Sequence, residues 1–323
     1  MAELADQRRV LSSDLVIQGY ACHNIRNRHS INASQLSSDG RFVALGFKSG
    51  VVVVRDLALN GKRFILCNAG ENIPIVCLLW HPSTDQRALF VASANGLINC
   101  ISFYDDIDNP RPFATAVRVQ GLVTCMAINK YATELAASHD TFTKVFKLPF
   151  KAGEPSGPEA GKIVPHVVHA GPNWQHIPVR NHPCPVGLRY APDGSLYIAF
   201  FSRIVAYDTS KSINHKLWEI SVPDETQIAS FALSPSGRLI AATNLISGIE
   251  WFSAVTKTHL STTKVEDDYM LRSFKLPIEF ISDTTFVVGH NSGKVMYGSY
   301  GVDATDVLAV HEVNLPSQFL DRR

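Results

Sequence analysis

Four histidines, His166, His169, His176 and His182, fall in one stretch of the chain. Imidazole nitrogens ligate zinc, but a structural zinc site takes four converging ligands, usually with cysteine among them and in tighter pairs. His166 and His169 stand at an odd spacing in an extended segment, so they point to opposite faces. The cluster therefore reads as fortuitous, and no metal and no other cofactor is expected. Acid/base chemistry has as little material. The six short apolar segments INASQL, VCLLW, VTCMAI, VGLRY, IASFAL and IEFI carry two charged side chains, Arg189 and Glu279. Glycosidic chemistry takes two carboxylates, and only Glu279 stands on such a segment. G-x-S-x-G, H-E-x-x-H and a Gly-rich phosphate loop followed by Lys are all missing from the sequence. The residue types point to no catalytic site, and the chain is not expected to be an enzyme.

Recognition has better candidates. Trp174 stands in a polar stretch, AGPNWQHIPVRNHP (170–183), with His176 and Arg180 beside it. Exposed Trp and Arg are the anchors that protein interfaces favour. The plainer alternative folds Trp174 over a sheet edge as an apolar lid, since large apolar residues are usually at least partly buried.

The elements that must position these residues come from a repeat. A unit of an apolar strand, a tight turn, a second apolar strand, a Gly-centred turn and a third strand recurs about every 45 residues. It reads INASQLSSDGRFVALGFKSGVVVVRD (31–56), VGLRYAPDGSLYIAFFSRIVAYD (186–208) and IASFALSPSGRLIAATNLISGIEWF (228–252). The glycine opening the third strand falls at Gly50, Gly96, Gly248 and Gly293, spacings of 46 and 45 within the two neighbouring pairs. The first turn carries Asp39-Gly40, Asp193-Gly194 and Ser236-Gly237. With further copies around 134–148 and 196–208, the count is six.

Strand periodicity and turn residues alternate throughout, and helical periodicity is nowhere sustained. A three-stranded strip cannot bury its own apolar faces, so the copies must stack. The fold expected is all-β, a β-propeller of four-stranded antiparallel blades. The outer strands are KRFILC (62–67), ATAVRV (114–119), KIVPHVV (162–168), HKLWEI (215–220), HLSTTKV (259–265) and VLAVHEV (307–313), with DLVIQGYA (14–21) as one more of this kind. That surplus strand favours a seven-bladed ring with an incomplete last blade over a six-bladed one. The domain organisation is a tail at 1–13, one propeller at 14–313 with long insertions at 149–162 and 170–184, and a tail at 314–323.

The S-x-D-G turn, the apolar second strand, the Gly turn and a third strand ending in an aromatic or basic residue plus Asp resemble WD repeats. Arg55-Asp56 and Tyr207-Asp208 stand where that family has its Trp-Asp pair, Trp251 keeps the Trp alone, and Asp140 takes the place of the structural Asp in SHDTFTKVFKL (138–148). No copy keeps both Trp and Asp, so the His, Ser/Thr, Asp and Trp network inside such blades is not carried over. The resemblance covers most of 30–300 and implies a degenerate WD-repeat-like propeller.

A formal net charge of +1 gives no general attraction to nucleic acid, and none is expected as a partner. MAELADQRRV has no apolar leader core, no apolar run reaches a spanning length, and no membrane insertion is expected. The six cysteines, Cys22, Cys67, Cys77, Cys100, Cys125 and Cys184, show no close pairing and read as small buried hydrophobes of a reducing compartment, cytoplasmic or nuclear.

The function expected is a non-catalytic scaffold, a monomeric propeller that binds proteins or peptides through loop faces within a complex. The contact residues expected are Trp174, His176 and Arg180, with Lys48, Asn95, His139 and Asn291 on turns sharing their face. The alternative is a carbohydrate or small-molecule propeller, hydrolase or lectin, using the central channel with Glu279 as its visible carboxylate. A lectin repeats one Trp or acidic residue in every copy, which this chain does not. Phosphoinositide recognition calls for paired arginines beside a strand, and the pairs here, Arg8-Arg9 and Arg322-Arg323, sit in the tails.

Overall fold

The computed structural model describes residues 31–57, 63–68, 73–84, 88–102, 114–139, 142–148, 175–178, 185–210, 215–223, 227–245, 248–264, 276–289, 295–300 and 307–311. These form six four-stranded sheets, each made of four consecutive strands in chain order. The first blade is β1 (Ile31–Leu36), β2 (Phe42–Phe47), β3 (Val51–Asp56) and β4 (Arg63–Asn68). The second is β5 (Ile75–Trp80), β6 (Ala88–Ser93), β7 (Leu97–Ser102) and β8 (Ala114–Arg118). The third is β9 (Val123–Ile128), β10 (Glu134–His139), β11 (Phe142–Lys147) and β12 (Gln175–Pro178). The fourth is β13 (Gly187–Tyr190), β14 (Leu196–Phe200), β15 (Arg203–Tyr207) and β16 (Lys216–Ser221). The fifth is β17 (Ile228–Leu233), β18 (Leu239–Asn244), β19 (Gly248–Ser253) and β20 (Thr258–Lys264), and the sixth is β21 (Ile278–Phe280), β22 (Thr285–Gly289), β23 (Val295–Ser299) and β24 (Val307–His311). All pairings are antiparallel.

The first turn of a blade shows why the repeat is written as it is. Gly40, Gly194 and Gly237 adopt φ of 69°, 90° and 73°, a region that only glycine enters without strain. Each donates its N–H back three residues, to the carbonyls of Ser37, Ala191 and Ser234 at 2.9, 2.9 and 2.8 Å. In the first blade Asp39 Oδ1 also accepts the Ser37 hydroxyl at 2.5 Å and the Arg41 N–H at 3.0 Å. At the second turn Gly96 (φ 83°) is required for space as well, because a Cβ there would stand 2.2 Å from the Val119 carbonyl oxygen.

Successive side chains on a strand point to opposite sheet faces, so an all-apolar second strand buries both. In β6, Leu89 and Val91 pack with Phe42, Ala44, Val52 and Val54 of the first blade. Ala88, Phe90 and Ala92 pack with Met126, Leu135 and Ala137 of the third. Three further clusters of the same kind join the third blade to the fourth, the fourth to the fifth and the fifth to the sixth. The inner strands accordingly touch in the series β1, β5, β9, β13, β17, β21. The third and fourth strands of the first, second, fourth, fifth and sixth blades meet at a register shift, and such bulges add to the twist that splays an outer strand from its blade.

Two expectations are corrected. The described blades number six, not the seven favoured from sequence: VLAVHEV supplies β24, the outer strand expected for the sixth copy, and no seventh sheet stands among the described residues. DLVIQGYA lies outside the described residues. The outer strand of the third blade is Gln175–Pro178 and not KIVPHVV, which lies outside the described residues. An edge strand needs backbone pairing on one side only and tolerates proline at its end, so apolar content did not mark it.

Trp251 anchors the seam between the fifth and sixth blades. It is 1% exposed, its ring centroid lies 5.0 Å from that of Phe286 and 4.8 Å from that of Tyr300, and its indole N–H donates to Thr263 Oγ1 at 2.8 Å. Trp251→Ala is expected to cost about 3–5 kcal/mol in chemical denaturation. Thr263→Val, which leaves the indole N–H without that acceptor, should cost about 1–3 kcal/mol.

Three tyrosines impose a pH limit. Burial raises the phenols of Tyr190, Tyr197 and Tyr207, Tyr190 well above its ordinary value, with the Glu134 charge acting in the same direction. The folded chain thus holds protons that the unfolded chain releases at about pH 10. Stability should be constant in these groups below about pH 10 and fall as pH rises through the raised folded values. Denaturation midpoints measured between pH 9 and 11 should show that decline, and it should be shallower in Tyr190→Phe.

Candidate interaction surface

Antiparallel order within a blade puts the first-to-second and third-to-fourth turns on one face of the disc. The second-to-third turns and the connections into the next blade share the other. Lys48 and Asn95 stand exposed on that second face. Asn95 is partly committed to its own turn, where its Oδ1 accepts the Ser93 hydroxyl at 2.8 Å and the Leu97 N–H at 3.2 Å. His139 is corrected: it is 4% exposed, its ring 5.9 Å from that of Phe142, so it belongs to the interior and offers no contact surface. It ends a second strand whose six residues are all buried, and that burial includes the polar end.

His176 lies within β12, opposite Lys144 in register. Trp174, Arg180 and Asn291 lie outside the described residues. The stretch AGPNWQHIPVRNHP is therefore not one loop leading into an inner strand, since β12 runs through it, with Trp174 before that strand and Arg180 after it.

Sequence reasoning missed three apolar residues on the same face as Lys48 and Asn95. Leu122 in the connection into β9, Phe142 at the start of β11 and Phe201 in the β14–β15 turn are 46%, 39% and 38% exposed. They belong to two adjacent blades, the third and fourth. The signal was present at Phe200-Phe201: the first ring is 1% exposed in the strand, and alternation sends the second outward at the turn.

The channel residues are engaged with one another. Arg189 on β13 donates through its guanidinium to Glu279 Oε1 on β21, passing the inner strand of the fifth blade, where its guanidinium lies 6.0 Å from the Phe231 ring. A carboxylate paired in this way is at most half of the two-carboxylate arrangement that glycosidic chemistry takes. Polar inner-strand residues elsewhere stitch blades together. Gln35 accepts both the backbone N–H and the indole N–H of Trp80 at 3.1 Å, and Asn32 donates to the Ile75 carbonyl at 2.7 Å. Among the described residues no group of three His, Cys, Asp or Glu side chains could hold a metal ion.

Two buried carboxylates occupy structural positions. Glu134, 5% exposed, accepts from Lys147 Nζ and reaches across to the fourth blade, where Thr209 donates at 2.7 Å and Tyr190 at 3.3 Å. Glu250, 1% exposed, is bonded by His259 Nε2 at 2.7 Å and Thr262 Oγ1 at 2.6 Å. The Thr, His and Glu types invite a hydrolytic reading, which the geometry refuses. The same Nε2 faces both the carboxylate and, at 3.4 Å, the hydroxyl, whereas a relay uses one ring nitrogen for each. This cluster and the Trp251–Thr263 bond supply, in the fifth blade, an internal polar network that the sequence did not predict. The Cys100 thiol is buried, which pushes it up to about 12.

No protein-family model matches the chain, and no curated protein matches it. Among solved structures it is similar to a chain of the crystal structure of the mitotic checkpoint complex, at 14% identity with a TM-score of 0.59, covering 84% of this chain and 76% of that one. At that identity the likeness is one of fold alone.

Proposed function

We propose that the chain is a non-catalytic scaffold that binds protein or peptide partners on the face carrying Lys48, Asn95, Leu122, Phe142 and Phe201. The observation that carries this reading is the set of three exposed apolar side chains on neighbouring turns of the third and fourth blades. Burying them against a partner releases apolar surface from water, at about 25 cal/mol per Å². A scaffold held by packed blades loses little conformational entropy when it binds. Trp174, His176 and Arg180 contribute to the same recognition from either side of and within β12. The similar solved chain comes from a complex, which is in keeping with an assembling role. A reducing compartment, the cytoplasm or nucleus, suits a chain that buries a cysteine such as Cys100 as a small hydrophobe.

The test compares affinity capture by the intact chain and by Leu122→Ser/Phe142→Ser/Phe201→Ser. The expected result is loss of specific partners with a denaturation midpoint within a few degrees of the parent. Capture of the same partners at the same yield by both chains contradicts the reading.

A further inference from the structure

Where the first blade meets the second, on the face of the disc opposite Lys48 and Asn95, the β1–β2 and β5–β6 turns border a cavity of about 240 Å³, counted out to its open mouth. The buried rings of Phe42 and Trp80, with centres 6.1 Å apart, supply its apolar lining, and the exposed Ser38, Asp39, Ser83 and Thr84 supply its polar lining. The Ser38 hydroxyl donates to the Pro82 carbonyl at 3.3 Å, which ties the two turns together and leaves the hydroxyl oxygen able to accept. Asp39 takes both of its hydrogen bonds on Oδ1, from the Ser37 hydroxyl and the Arg41 N–H, so Oδ2 has no donor among the described residues. The Ser37 bond holds the Asp39 carboxyl below the usual carboxylate range, and it is ionised at neutral pH. Burial lowers the pKa of His81 in the cavity wall, and its Nδ1 accepts the Ser83 N–H at 3.1 Å, so that ring is neutral at pH 7. The lining thus sets one negative charge beside an apolar surface.

From these groups we infer that the cavity takes a basic side chain, lysine or arginine, of a peptide partner, with the cation on Asp39 Oδ2 and the aliphatic stem against Trp80 and Phe42. The site is separate from the apolar face proposed above and does not depend on it. The chain already uses this chemistry on itself in three places among the described residues. Arg41 lies 4.9 Å from the Phe42 ring centre and bonds Asp56, Arg203 lies 5.6 Å from Phe200 and bonds Glu219, and Arg189 lies 6.0 Å from Phe231 and bonds Glu279. Carboxylate and ring suit one side chain together, because the head makes charge-assisted hydrogen bonds while the stem covers apolar surface. In the cavity the carboxylate comes from the first blade and the Trp80 ring from the second, and the neighbouring Arg41 is committed to Asp56 through Nε at 3.0 Å and Nη2 at 2.8 Å. The cation therefore comes from a second molecule. Other ligand classes fit less well: Asp39 repels an anion, a sugar needs an open ring face to stack on and these rings are buried, and a calcium or magnesium ion needs more oxygen ligands than one carboxylate offers.

The test titrates the intact, isotope-labelled chain with the blocked tripeptides Gly-Lys-Gly and Gly-Arg-Gly and follows backbone amide shifts by NMR. A third peptide, Gly-norleucine-Gly, keeps the stem and drops the charge. The expected result is saturable shifts at residues 37–42 and 80–84 with a basic peptide, several-fold weaker binding of the norleucine peptide, and affinity that falls as salt is raised. Asp39→Asn is the second arm. Asn95 Oδ1 accepts from the residue two before it and the residue two after it, the same two bonds that Asp39 makes, so asparagine keeps the turn and removes only the charge. Affinity for the basic peptides should drop several-fold in that variant. No saturable shift with either basic peptide, equal binding of the norleucine peptide, shifts that lie only outside these two turns, or unchanged affinity in Asp39→Asn overturns the inference. If the variant fails to fold, the comparison with norleucine on the parent chain decides.

Discussion

A four-stranded sheet with apolar residues on both faces cannot stand alone in water, and the rest of this structure follows from that constraint. Each of the second to fifth blades hides one face against the blade before it and the other against the blade after it, so the described chain folds as a series of face-to-face seams. The five seams are built from the alternate residues of second and third strands: Leu89 and Val91 toward one neighbour, Ala88, Phe90 and Ala92 toward the other. Small residues set how close the sheets come, as at Gly187, where a Cβ would stand 2.7 Å from the Phe231 ring. Because stacking is the source of stability, the turns between strands are free to vary, and they carry what the protein presents to its surroundings.

The polar interior follows the same logic. Glu134 and Glu250 are buried because each has enough donors around it, and each is placed where strands or blades must hold register. Glu134 ties the third blade to the fourth through Thr209 and Tyr190. Arg189 and Glu279 do the same from the fourth to the sixth at the channel wall. Glu134, Glu250, Arg189 and Glu279, which first look like reaction chemistry, are engaged with neighbouring strands and blades.

Much of this was legible in the sequence, for identifiable reasons. Period-2 apolar strands and the glycines at Gly40, Gly194 and Gly237, which adopt positive φ, are local signals, and they marked the first three strands of each described blade. What failed was non-local. β12 has no apolar pattern of its own and exists because β11 offers it an edge, so a richer apolar run upstream was taken instead. His139 was read as a turn residue because its burial depends on neighbouring elements. The preference for seven blades failed because it was counted from one surplus segment, DLVIQGYA, that reads like an outer strand, and which sheet a strand joins is set by pairing that its own residues do not show. Leu122, Phe142 and Phe201 went unnoticed because an apolar residue beside a strand end is read as core until its direction is known.

The most direct test of the stacking account is amide hydrogen exchange across the intact chain under native conditions. Blades packed on both faces should open last, so β6, β10, β14 and β18 should share the strongest protection, while β22 and β2, each with one described apolar partner, exchange sooner. Equal protection in all six second strands, or the weakest protection in the third and fourth blades, contradicts the account.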